Sequence, residues 1–148
     1  MTRKENKGQS LFEVVVAIGI SALVITGIVS LATNSIQNSS YSRDSTLASN
    51  YVVQTNEWLR HERDSNIAKF KEYATDLDMP TWCLKDLTWS AYNYKICGTE
   101  DYITGTNFVR QIVFAPESTN VVQVNVTVSW KDSKGMHQST SSTNLSIR

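Results

Sequence analysis

The stretch Lys7-Gly8-Gln9-Ser10-Leu11-Phe12-Glu13 runs without a break into Val14-Val15-Val16-Ala17-Ile18-Gly19-Ile20-Ser21-Ala22-Leu23-Val24-Ile25-Thr26-Gly27-Ile28-Val29-Ser30-Leu31-Ala32. From Leu11 to Ala32 every residue is apolar or small except Glu13. At a rise of about 1.5 Å per residue such a helix spans about 30 Å, the thickness of a bilayer core. The segment admits three readings. A core helix of a soluble domain is disfavoured, because the segment is apolar around its whole circumference and the remaining chain is too short to wrap it. A cleaved secretory signal has the right basic start, and Ser30-Leu31-Ala32 supplies small residues for a peptidase. Its length, and the acid inside it, favour an anchor that stays. Within hydrocarbon that acid costs about 2.5 to 3.5 kcal/mol at a helix centre, so Glu13 needs a partner or a purpose.

Outward from this rod, Met1 to Gly8 is short and basic, with Arg3, Lys4 and Lys7 against Glu5. Positive charge flanking an apolar helix marks the cytoplasmic side. Thr33 to Ser45 is polar but holds no Pro or Gly, so the helix continues, with a weak point expected at Asn38 to Ser42. Leu47, Tyr51, Val52, Thr55 and Leu59 then recur at spacings of three and four, with Trp58 alongside and Arg60, Glu62, Arg63 and Asp64 turned away. The spacing predicts a helix from Gln9 to about Arg63. Ile67, Phe70 and Tyr73 or Ala74 extend the stripe, either in the same helix or in a short second one capped by Asp64, Ser65 or Asn66. Asp76 to Pro80 ends it.

The head begins at Thr81-Trp82-Cys83. Tyr92 to Cys97 alternates weakly, Phe108 to Ala115 reads as a strand, and Val122, Val124, Val126, Val128 and Trp130 alternate strictly with Gln123, Asn125, Thr127 and Ser129. That alternation predicts an antiparallel strand with one packed and one wet face. Lys131 to Gly135 is a hairpin turn, and Met136 to Ile147 returns as a polar edge strand. The fold class is α+β, a long N-terminal helix, transmembrane and then amphipathic, on a small antiparallel sheet. Its segments are 1–8 as a leader, 9–33 as the membrane helix, 34–80 as amphipathic helix and extension, and 81–148 as a β-rich head.

Composition narrows the function. With 14 basic and 14 acidic residues among 148 the chain has no net charge, and its cations are too scattered to form a nucleic-acid groove. No Ser/His/Asp array, carboxylate pair or phosphate-cradling Gly loop is apparent, so the chain does not read as an enzyme and implies no cofactor. Cys83 and Cys97 suit one disulfide in an oxidising compartment, or two free thiols. A metal site would want a CxxC motif or histidine partners, and His61 and His137 are isolated and read as solvent-facing. Trp82, Trp89, Tyr92, Tyr94 and Tyr102 either pack over the sheet or form a recognition surface, with packing favoured.

The basic leader, Gly8, Gln9, the acid Glu13 five residues beyond Gly8 and the long apolar helix together resemble the class III signal of type IV pilins and pseudopilins. Leu47 to Asn66, and Val126 to Gly135 leading through Val128-Ser129-Trp130-Lys131, are similar in pattern to the second half of the long helix and the terminal hairpin of minor pilins and general-secretion pseudopilins. The resemblance implies a precursor in the bacterial inner membrane with its head extracytoplasmic. It implies cleavage by a prepilin peptidase between Gly8 and Gln9, N-methylation of Gln9, and pairing of Glu13 with the terminal amine of a neighbouring subunit. The implied partners are other pilins or pseudopilins, met through the N-terminal helix, and an inner-membrane assembly platform, in a pilus or a type II secretion pseudopilus. Major pilins commonly carry a proline near the midpoint of this helix and an aromatic first residue. Thr26-Gly27-Ile28-Val29-Ser30 and Gln9 depart from both, which points to a minor component. The rival reading is a single-pass anchored binding domain that never polymerises.

Overall fold

The computed structural model describes residues 7–75, 81–89 and 96–148, with the backbone alone described at 7–10 and at Thr99. The chain divides into two compact units, Met1–Tyr41 and Ser42–Arg148. A helix, α1, covers Lys7–Ser65. The expected weak point at Asn38 to Ser42 is helical throughout. Where hydroxyl side chains compete with the backbone, they bond back to it one turn earlier instead of breaking it, as Thr46 Oγ1 does to Ser42 O and Ser49 Oγ to Ser45 O, both at 2.9 Å.

Within the first unit α1 is apolar and open. Every residue from Leu11 to Ile36 is exposed, with Leu11 at 72% and Leu23 at 74%. Its hydroxyls are satisfied internally, Ser21 Oγ donating to Ala17 O at 2.8 Å and Thr33 Oγ1 to Val29 O at 2.9 Å. This is the one described helix long and apolar enough to cross a membrane, with a mean hydropathy of 2.6 in its most apolar window.

In the second unit the rest of α1 lies on a sheet. Asn66 leaves helical geometry, and its Oδ1 accepts from Lys69 N at 3.0 Å, starting α2 (Ile67–Ala74). Of the three candidate caps, Asn66 is the one used. The sheet holds β1 (Thr81–Cys83), β2 (Val109–Ser118), β3 (Val121–Asp132) and β4 (Gly135–Ser146) in that spatial order, all antiparallel. The fold is therefore α+β, a long helix packed on a small antiparallel sheet.

Strict alternation in β3 is matched by burial, with Val122, Val124, Val126, Val128 and Trp130 all inside. Opposite them Ala48, Val52 and Leu59 of α1 and Phe70 and Ala74 of α2 close the core. β2 runs three residues beyond the expected end. Pro116 is tolerated there because β1 pairs only with 111–113, so no neighbour on that side requires its missing N–H, and a register shift follows at Ser118. The hairpin turn is tighter than expected. Strand pairing persists to Asp132↔Gly135, because Asp132 Oδ1 accepts from Lys134 N at 2.7 Å and Gly135 N at 3.1 Å, and Gly135 takes φ +128°. Ile96 and Cys97 lie outside any strand, and the rest of the weak alternation, Tyr92 to Lys95, lies outside the described residues.

Candidate functional site

Two regions hold the residues singled out by sequence. The first is the start of α1. Gly8 and Gln9 are both helical. Glu13 is exposed one turn beyond Gln9, and no salt bridge joins it to another described side chain. Val14, Ala17, Ile18, Ser21, Ala22 and Ile25 border a shallow apolar groove along one side of the helix. Small residues there let a second helix approach closely, the packing mode that works where lipid removes the hydrophobic difference between partners. Chemically this region offers one carboxylate on a surface that otherwise excludes charge up to Arg43.

The second region is the head. Cys83 ends β1, and Cys97 lies 14 residues later; their sulfurs are bonded with Cα atoms 5.5 Å apart. The disulfide thus fastens Cys97, which lies outside any strand, to the end of β1. Trp82 and Trp89 sit in an aromatic cluster with Phe70, Tyr73, Trp58 and Phe114, at centroid distances of 4.3 to 6.3 Å. Trp89 Nε1 also donates to Glu62 Oε2 of α1 at 2.7 Å. These two tryptophans pack the loop onto helix and sheet, so their role is structural. Tyr92 and Tyr94 lie outside the described residues. Tyr102 is exposed and borders a cleft of about 170 Å³ with Cys97, Asn107, Trp130, Lys131 and Met136.

Arg110 is a buried cation of the head. It points inward from β2 and is 2% exposed. Its Nε donates to Leu84 O at 3.3 Å, Nη1 to Thr55 Oγ1 at 3.3 Å and Nη2 to Lys85 O at 3.4 Å, so one guanidinium ties α1, β2 and the disulfide loop together. Burial pulls its pKa below the ordinary arginine value, against a smaller upward pull from Asp86 and Tyr51. The signal was present in the sequence, since Arg110 shares strand parity with Phe108, Ile112 and Phe114.

The histidines differ from each other. His61 is exposed, as expected. His137 is not free in solvent: its Nε2 lies 2.9 Å from Asp132 Oδ1 and its ring sits 5.5 Å from Trp130, because β4 pairs Trp130 with His137. Desolvation raises the Asp132 pKa, but hydrogen bonds from Lys134 N, His137 and Gly135 N outweigh it and hold the carboxyl below its usual range. Among the described residues no group of three His, Cys, Asp or Glu side chains is placed to hold a metal ion. No family model, curated protein or solved structure matches the chain.

Proposed function

We propose that this chain is a minor pilin or pseudopilin subunit, a structural and interactive protein processed between Gly8 and Gln9 and incorporated through its N-terminal helix into a type IV pilus or a type II secretion pseudopilus. The observation that carries the reading is the order of features along one helix: Gly8-Gln9 at its start, Glu13 one turn on, then an exposed surface without charge to Ile36. An apolar helix of this length is compatible with a membrane anchor, and the bacterial inner membrane is the location this reading assigns before assembly.

Cleavage after Gly8 leaves a charged amine on Gln9, which N-methylation preserves. In an apolar bundle that amine and the Glu13 carboxylate each carry a large desolvation cost, which pairing between adjacent subunits offsets. A slip of register leaves both unpaired, so the pair also sets the stagger of one helix against the next. Ser42 to Arg148 presents the head outside the membrane.

The test is the mature N-terminus of the protein made with and without a prepilin peptidase. A chain beginning at Gln9 only when the peptidase is present supports the proposal. A start at Thr33 replaces it with secretion by an ordinary signal peptidase, and an intact Met1 with a static anchor.

A further inference from the structure

We propose that Cys97 is a thiol-exchange site of the head: a small thiol entering the cleft beside it forms a mixed disulfide at Cys97, and Cys83 is the resolving thiol that later expels it. The two halves of the bond are presented unequally. Cys83 is 2% exposed and lies in β1 between Trp82 and Leu84, both buried. Cys97 is half-buried between Ile96, which is 84% exposed, and the exposed Gly98. Cys97, and not Cys83, borders the cleft of about 170 Å³ with Tyr102, Asn107 and Met136. In thiol–disulfide exchange, access decides which sulfur a thiolate attacks. The incoming thiolate bonds to Cys97 Sγ, the Cys83–Cys97 bond breaks, and its electron pair leaves on Cys83 Sγ. Cys83 takes up a proton, equal to the one the small thiol lost on ionising, so one disulfide replaces another without net oxidation. Attack in the opposite sense would have to reach the sulfur enclosed at the end of β1. Burial among apolar neighbours favours thiol over thiolate at Cys83, which makes it a poor leaving group and the opening slow.

The fold keeps the opened pair poised to rejoin. Cys83 is paired with Gln111 of β2, and Leu84 N donates to Arg110 O at 3.0 Å. After Cys97, Gly98 N donates to Asp101 Oδ2 at 2.9 Å, Asp101 N donates to Gly98 O at 3.0 Å, and Tyr102 bridges Val109. Hydrogen bonds independent of the sulfurs thus tie both flanks to one strand, at positions 111 and 109. With the bond open, Cys83 stays beside Cys97 at an effective concentration that favours closure. Cys83 then loses its proton and attacks Cys97 Sγ, and the small thiol departs with the electron pair and regains the proton. The exchange goes beyond filament membership and requires neither cleavage at Gly8 nor assembly.

The test uses the full, uncleaved chain in detergent micelles with its disulfide intact. Glutathione is added at neutral pH, and samples are quenched in acid, unfolded, alkylated with N-ethylmaleimide and digested with trypsin. Cuts at Lys85 and Lys95 place the two cysteines on separate peptides, and mass spectrometry reads the glutathione on each. In the folded chain the Cys97 peptide should carry at least about tenfold more glutathione than the Cys83 peptide, and in urea the two should agree within about twofold. Moved to thiol-free buffer, the folded glutathionylated chain should release glutathione and regain its disulfide. Equal labelling of the two cysteines in the folded chain, the same preference in urea, no adduct on Cys97, or an adduct that persists without free thiol overturns the proposal.

Discussion

Replacing Arg110 separates what a buried cation contributes by packing from what it contributes by bonding. Its three acceptors respond differently to its loss. Thr55 Oγ1 keeps its own donation to Tyr51 O at 2.6 Å, and Lys85 O still accepts from Thr104 N at 3.3 Å. Leu84 O lies beside a side chain only 1% exposed, so it is the acceptor that water replaces least well. An Arg110→Met chain therefore forfeits about 1 to 3 kcal/mol for one unsatisfied buried carbonyl, partly offset because the desolvated charge is gone. Arg110→Ala adds a cavity and should cost about 3 to 5 kcal/mol. With Ser42–Arg148 as the cooperative unit, about 4 °C of melting temperature accompanies each kcal/mol. Tryptophan fluorescence of the full chain in detergent micelles, without reductant, follows the melt at Trp82, Trp89 and Trp130. The ordering expected is parent, then Met, then Ala. A Met variant as stable as the parent would refute the assignment of bonding to the Leu84 contact, and equal losses for Met and Ala would refute the packing share.

Glu13→Leu should leave membrane insertion intact and reduce recovery in sheared filaments; equal recovery of variant and parent counts against pairing with a neighbour's amine. Replacing Cys83 and Cys97 by Ser should lower head stability by about 3 kcal/mol for a loop near fifteen residues, read as a melting shift that reductant reproduces in the parent; no shift with either means the bridge does not hold the loop. The depressed Asp132 pKa fixes the sign of a pH effect: the carboxylate stabilises the β3–β4 turn above its unfolded value near 3.9, and that contribution is lost as pH falls through the lower folded value. Amide exchange at Lys134 and Gly135 should accelerate in that acid window, and Asp132→Asn should abolish the acid dependence; an unchanged profile in the variant would show that other groups set it.

The parts of this fold legible in sequence are those where one period dominates. Val122 to Trp130 alternates without exception, and Leu47 to Leu59 holds one helical stripe, so strand, helix and the faces they bury follow directly. Local propensity misled at Asn38 to Ser42, where Ser and Asn suggest weakness but the helix runs through without interruption. β1 was not legible because three residues carry no period, and its pairing with 111–113 comes from tertiary position. Arg110 was not singled out in the strand from Phe108 to Ala115, although its parity with Phe108 and Ile112 places it inside. The histidines show the same limit. Nothing local separates His61 from His137, and only the register that sets Trp130 opposite His137 withdraws the second from solvent.

Energetics divide α1 between two solvents and leave one residue to choose between two states. The core of the head draws on nothing before Leu47, so Leu11 to Ile36 must find its apolar partner elsewhere. Each large apolar side chain kept in water forgoes about 1.5 to 3 kcal/mol, and the thirteen exposed in Leu11 to Leu31 forgo about 20 kcal/mol or more, beyond the whole stability of a domain. Against that, the cost of about 2.5 to 3.5 kcal/mol for Glu13 in hydrocarbon is affordable. Lipid tails, however, are as apolar as the leucines of a neighbouring helix, so burying this surface in a bundle rather than a bilayer gains almost nothing. Under the proposed reading the preference for the bundle must come from what differs between the two: close packing at Ala17, Ser21 and Ala22, and a counter-charge for Glu13. The acid that lipid tolerates at a cost is then the group that makes assembly favourable, which is why its removal should spare insertion and impair incorporation.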